Sequence, residues 1–413
     1  MRVRTCAAVT AALVLLGGAP VSYAAPVGML SDSVDSDGDA LPDSWEQYGL
    51  DVDGDGNPEV DLPGLGADPR HKDIFVEMDY MPGREPSDAV LARIAEVFGT
   101  SPVPNPDGST GIAIHLDLGT RGAAVPPAQQ DPGTGSATGS TGSAGSAQPQ
   151  RPKAGAGRYD LGGGNPVPDD PDLNPSLTEV GQLRQRYFAP ERAYVFHYMV
   201  WGDRIDGSCS SGQGFAIPND TFVVALGPAC FPEVAEDQQV GTFIHELGHN
   251  LGLQHGGTDG VNYKPNYLSV MNYSFQMFGV PRSDGTWYFG YSDADPGPLD
   301  ENRLDEQRGL GPLGAGWRTA YSCGFAATPN RYTDRSADQP IDWNCDGEHG
   351  LAASSINSDW LLNNLTAQNN WASLQFNGGD IGSTSKYTGT PLPAPVELDS
   401  VTANELARSL HRH

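Results

Sequence analysis

Basic side chains are scarce: 24 lysines and arginines stand against 52 aspartates and glutamates, a formal charge of -28. A chain this acidic repels a phosphate backbone, which argues against nucleic acid as a partner. Beyond the first 24 residues, no apolar run approaches the ~20 residues needed to cross a bilayer, so no membrane anchor is expected. Cysteine is sparse too, with five in 413 residues and no Cys-x-x-Cys spacing. That spacing is what a thiolate zinc site requires.

The amino-terminal end carries Arg2 and Arg4, an apolar run from Ala7 to Leu16, and Ser22-Tyr23-Ala24. This order predicts a signal peptide over residues 1–24, cut after Ala24, and a secreted, extracellular protein. Cys6 precedes the apolar run, so a lipoprotein anchor is not indicated. Loss of Arg2 and Arg4 takes the charge to about -30. Cys209, Cys230, Cys323 and Cys345 remain, and four cysteines in an exported chain read as two disulfides with three possible connectivities. Proximity favours Cys209 with Cys230 and Cys323 with Cys345.

The carboxylates are clustered. Asp32 to Asp61 holds eleven of them and no basic residue. Asp35, Asp37, Asp39, Asp43 and Glu46 stand at positions 1, 3, 5, 9 and 12 of an EF-hand-type calcium loop, with the Leu41 carbonyl at position 7. Ala40 replaces the glycine usual at position 6, so a shortened or variant loop is expected. Asp51, Asp53 and Asp55 repeat the spacing with Gly56 at position 6, but Leu62 at position 12 cannot ligate. Asp342, Asn344 and Asp346, followed by Gly347, form a third candidate loop. Calcium is therefore an expected cofactor, and residues 25–68 an acidic calcium-binding region; a solvated acidic linker is the alternative.

Residues 71–81 read as a strand that opens a domain over 69–280. A helix capped by Ser87 follows, with Val90, Leu91, Ile94, Val97 and Phe98 at helical spacing, and Gly99 ends it. Residues 111–118 alternate as a second strand, on which His115 points away from the apolar face and reads as structural. Residues 121–157 are rich in Gly, Ser, Ala, Pro and Thr and cannot form a core, so they read as a flexible insertion. Ala193–Trp201 and Thr221–Leu226 are further strand candidates, and a helix from about Val234 to Asn250 packs through Val240, Phe243 or Ile244, Leu247 and Leu251. Residues 281–400 read as a smaller C-terminal subdomain with Trp360, Trp371, Leu374 and Phe376 as its core, and 401–413 as a tail. The fold class is α/β.

The densest chemistry lies at His245-Glu246-Leu247-Gly248-His249-Asn250-Leu251-Gly252-Leu253-Gln254-His255. On a helix, His245 and His249 share one face one turn apart, so both rings reach one metal ion. Gly252 supplies the positive φ that ends the helix and turns His255 back as a third ligand. Three protein ligands leave a position open, as catalytic zinc requires. Zinc acidifies the water it holds, and a carboxylate at the offset of Glu246 can take the proton.

This string, followed by Ser269-Val270-Met271-Asn272-Tyr273, resembles the signature of the metzincin metallopeptidases, with features similar to pappalysin-like and to astacin- or serralysin-like members. The resemblance implies a mixed twisted sheet, an active-site helix and a mainly irregular C-terminal part. It implies that Met271 forms an apolar floor beneath the imidazoles and that Tyr273 ligates zinc or steadies the oxyanion. It also implies an antiparallel edge strand that pairs with extended protein or peptide substrates, and Thr221–Leu226 resembles that strand. No cysteine lies between the signal segment and Cys209, so latency through a prosegment cysteine is not expected. The implied activity is a secreted zinc metalloendopeptidase; a calcium-dependent extracellular binding protein, or an inactive descendant of a peptidase, is the competing reading.

Overall fold

A computed structural model describes residues 34–123, 125, 157–382 and 387–410. The expected signal segment, Asp32, most of the 121–157 insertion and the last three residues lie outside them. The architecture is α/β, with helices on both faces of a five-stranded mixed sheet. The strands are β1 (Asp73–Tyr80), β2 (Ala113–Asp117), β3 (Phe196–Gly202), β4 (Gly212–Gly214) and β6 (Thr221–Ala225), in the order β2-β1-β3-β6-β4. A two-residue strand, β5 (Ala216–Ile217), continues the line of β4. Pairings are parallel except at β4, which runs antiparallel to β6 with Gln213 opposite Val223.

Strands β1, β3 and β6 are buried along their whole length, as parallel strands covered on both faces must be. One face carries Val76, Met78, Met199, Phe222 and Val224. Against it pack α2 (Asp88–Gly99), through Val90, Leu91, Ile94 and Phe98, and α4 (Glu236–Asn250), through Val240, Phe243, Ile244 and Leu247. Ser87 caps α2 by accepting from the Val90 amide at 3.2 Å. The other face, with Phe75, Phe196, Tyr198 and Val223, takes α1 (Asp43–Tyr48) through Trp45 and α3 (Ser176–Tyr187) through Val180. Leu41, Leu50, Val60 and Leu62 join this second layer, so the described part of the acidic region is integral to the fold. His115 stacks on Phe75 at 4.2 Å and bonds Asp73, in keeping with a structural role.

Two expectations need correction. Thr221–Ala225 is not the antiparallel edge but an internal parallel strand; the edge is Gly212–Gly214. Glycine at two of three positions erases the apolar alternation by which a strand is recognised. The C-terminal aromatics do not share a core of their own either. Trp371 meets Phe98 edge-to-face at 5.5 Å within the main core, Phe376 belongs to the same cluster, and Trp360 is exposed. A further apolar cluster forms instead around Phe275, Leu304, Tyr332 and Trp343. The disulfides follow proximity: Cys209–Cys230 and Cys323–Cys345, with Cα separations of 5.3 and 6.0 Å. No helix among the described residues is long and apolar enough to cross a membrane.

Asp220, at the entry to β6, accepts two bonds from the Arg184 guanidinium of α3, at 2.9 and 3.0 Å, and one from the Asp380 amide at 2.9 Å. Burial pushes its carboxyl up, but Arg184 outweighs that and holds it below the usual carboxylate range. A depressed folded value contributes stability that is complete above about pH 4 and is lost as pH falls through the folded value. Asp220→Asn should therefore cost about 3 kcal/mol at neutral pH, read from urea midpoints, and its deficit against the parent should shrink below about pH 4.

Candidate metal centre

Helix α4 stops where its glycine requires. Gly252 adopts φ +86°, the Gly252 amide donates to the His249 carbonyl at 3.0 Å, and the Leu253 amide donates to the Gly248 carbonyl at 2.9 Å. This left-handed stop reverses the chain. His255 thereby returns to the face that carries His245 and His249. Their Nε2 atoms stand 3.2 Å (His245–His249), 3.1 Å (His249–His255) and 3.3 Å (His245–His255) apart.

The ring protons of two of the three are accounted for. His245 Nδ1 lies 2.8 Å from the Val270 carbonyl and His249 Nδ1 2.8 Å from the Leu253 carbonyl. A carbonyl only accepts, so each Nδ1 carries the hydrogen and each Nε2 of the neutral ring presents a lone pair. Burial lowers the pKa of His245 and pushes that of His255 down to about 4, which favours the neutral ring. Lone pairs this close and this buried repel unless a cation sits among them. The residues therefore fit a metal ion.

A fourth donor joins them that the sequence reading missed. Glu397, fully buried at its side chain, places carboxylate oxygens 3.2 Å from His245 Nε2, 3.3 Å from His249 Nε2 and 3.4 Å from His255 Nε2. His245, His249, His255 and Glu397 form one group able to hold a metal ion. Glu397 lies 142 residues beyond His255, in a proline-rich stretch with no ligand spacing of its own. No local pattern could have found it.

Glu246 is fully buried beside the centre, and its oxygens make no well-formed hydrogen bond, the Gly214 backbone offering a weak one. Burial, then the charge of Glu397, push its carboxyl well above the usual range. The edge strand must be glycine here: a Cβ at Gly212 would lie 2.4 Å from Glu246 Oε1, and one at Gly214 would lie 2.9 Å from His249 Cβ. Met271 is buried, and a Cβ on Gly248 would lie 2.4 Å from its sulfur, so the methionine packs under the turn of helix between His245 and His249. The Tyr273 ring is 4.4 Å from that of His255. Its hydroxyl donates to the Val396 carbonyl, with a Glu397 carboxylate oxygen 3.3 Å away. Buried Lys264 braces the intervening loop through the Gly256 carbonyl (3.0 Å) and Asp259 (2.8 Å), while Asn272 donates to the Lys264 and Tyr267 carbonyls.

The acidic loops share one geometry. Asp35 accepts from the amides of Gly38 and Ala40, Asp51 from those of Gly54 and Gly56, and Asp342 from those of Asp346 and Gly347. Position 6 is left-handed in all three, at Ala40 (φ +75°), Gly56 (+87°) and Gly347 (+85°). Ala40 thus takes the backbone glycine would hold, and the first loop is not shortened. Asp35, Asp37 and Asp39 form one acidic group, and Asp39, Glu46 and Asp73 another. Asp73, at the start of β1, was not foreseen. Asp43 departs from expectation: both its oxygens accept from Ser36, at 2.7 Å each, so it braces the turn. Asp51, Asp53 and Asp55 are joined by Glu59. Asp342, Asn344 and Asp346 close on themselves, Asn344 donating to Asp346 at 2.9 Å, and complete no acidic group of three among the described residues.

Comparison of the chain with protein-family models, with curated proteins and with solved structures gave no match.

Stripping a bound divalent metal with a chelator should lower folding stability by about 4 kcal/mol relative to a thousandfold excess of metal over its Kd, measured by denaturant unfolding. With calcium held in excess and a chelator selective for transition metals, His249→Ala should remove both one equivalent of bound metal, by elemental analysis, and that sensitivity.

Proposed function

We propose that the chain is a secreted zinc-dependent endopeptidase of metzincin type, acting on protein or peptide substrates. The carrying observation is the convergence of three imidazole nitrogens, two of them fixed as lone-pair donors, beside the buried carboxylate of Glu246. A zinc ion held by His245, His249 and His255 supplies a Lewis acid that polarises a peptide carbonyl and acidifies water. Glu246 takes the proton of the attacking water and delivers it to the leaving amine nitrogen. A bound cation beside Glu246 would favour its ionised form, the form that accepts the proton. Tyr273, its ring tilted against that of His255, donates its hydroxyl to the oxyanion once that hydroxyl is free. The outer edge of β4 pairs with an extended peptide, reading backbone and so tolerating many sequences. The two disulfides are compatible with an extracellular location.

Calcium in the acidic loops belongs to the same proposal. Glu46 is buried with neither oxygen hydrogen-bonded, and burial together with Asp39, Asp37 and Asp73 pushes its pKa up to about 10. Burial and the Asp35 charge push Asp37 up to about 7. Carboxylates crowded this way either take up protons or hold a hard cation, and calcium accepts such an oxygen set. Calcium should raise the melting temperature, and Glu46→Gln should abolish most of that rise, followed by calorimetry at two calcium concentrations.

The competing reading, a calcium-dependent binding protein or inactive descendant, is favoured by one observation. Four protein donors close the metal centre, as they do in structural zinc sites. That reading leaves Glu246 without work. In a Glu397→Ala background, Glu246→Gln should lower peptide hydrolysis by roughly 10²–10⁴-fold while one equivalent of zinc stays bound. Equal hydrolysis with and without Glu246, or zinc in neither protein, would overturn the peptidase.

A further inference from the structure

The chain's own C-terminal segment runs along the outer edge of the β4–β5 line, pairing with the residues on either side of β4. A short strand, β7 (Leu392–Pro393), pairs antiparallel with β5, Leu392 opposite Ile217 and Pro393 opposite Ala216. Farther along, the Ser211 amide donates to the Leu398 carbonyl at 2.8 Å, Ser210 bridges Asp399 antiparallel, and the Ser400 amide donates to the Cys209 carbonyl at 3.0 Å. All five pairs share a single register. It sets Glu397 opposite Gly212, the glycine against which Glu246 packs. The Gln213 side-chain amide adds a bond to the Pro395 carbonyl at 2.9 Å.

We infer that residues 392–400 are an inhibitory strap, an inference that rests on the peptidase reading. The strap lies along the substrate path in place of a peptide and delivers Glu397 as a fourth, anionic donor to the metal centre, so the chain is latent until the strap is displaced.

Three features distinguish a strap from a substrate. First, it offers the metal centre a side-chain carboxylate, which resists attack, while the adjacent Val396 carbonyl is held by the Tyr273 hydroxyl. Tyr273 is thereby withdrawn from any oxyanion. Second, the strap is anchored downstream: Leu398 is buried, and α5 (Ser400–Leu410) buries Ala403 and Leu406 in the main core. Third, it is built to leave. Residues 388–394 are exposed, within reach of a second peptidase, and the prolines at 391, 393 and 395 fall at the alternate positions whose amides face away from the edge, so they limit pairing on the strap's outer side only.

The test uses the full chain loaded with zinc, a fluorescent peptide hydroxamate as active-site probe, and a quenched peptide as substrate. Glu397→Ala should keep one equivalent of zinc, bind the probe about 10- to 100-fold more tightly, as expected if the strap opens 1–10% of the time, and hydrolyse the peptide faster. Leu406→Ala, which loosens the anchor without touching a donor, should shift probe binding in the same direction. Probe affinity and hydrolysis unchanged in both variants would overturn the strap and leave the peptidase standing. Loss of zinc from Glu397→Ala with no gain in probe binding would overturn it too, making Glu397 a structural ligand. Tighter probe binding with no hydrolysis in any form would support the strap and sink the peptidase reading.

Discussion

Four acceptor groups converge in the interior with no proton to share between the two imidazoles whose tautomers are fixed. His245 and His249 have each committed their Nδ1 hydrogen to a backbone carbonyl, so their Nε2 lone pairs face each other, His255 and the Glu397 carboxylate. In an apolar interior such an arrangement is strongly repulsive without a cation at its centre. Much of the surrounding structure follows from that requirement. The turn at Gly252 exists to return His255, the Val270 carbonyl to hold one ring, and the glycines of β4 to let a backbone edge approach the helix closely.

That close approach connects the metal centre to the sheet. An edge strand with side chains at 212 or 214 would be pushed off α4, and any backbone it reads would be moved out of reach of the imidazoles. The same edge is the one the C-terminal strap follows, paired in one register at residues 209–211 and 216–217. Metal centre, edge strand and strap therefore act as one unit. The Cys209–Cys230 bridge ties the near end of that edge to the loop leading into α4.

The acidic region shows the same logic at the periphery. Its loops spend carboxylate oxygens on holding their own amides, and in the first loop Asp39 is directed inward against Asp73 of β1. A cation there would fasten α1 to β1. The region's apolar residues, Trp45 above all, already place it on the sheet, so this acidic segment is part of the domain and not an appendage.

Local physics made much of this legible in the residues themselves. Helical spacing brought His245 and His249 together, a positive-φ glycine turned His255, and alternation marked β2, because each depends on neighbours a few positions away. The loops at Asp35, Asp51 and Asp342 were readable for the same reason. Tertiary structure alone decided the identity of the edge strand, where two glycines carry no strand signal, and it alone brought Asp73 to Glu46. It also decided that Glu397, unremarkable in its own stretch of chain, meets the three imidazoles from 142 residues away. Sequence periodicity reports only which residues share a face; which distant face covers it is settled by packing and by the pairing of strand edges.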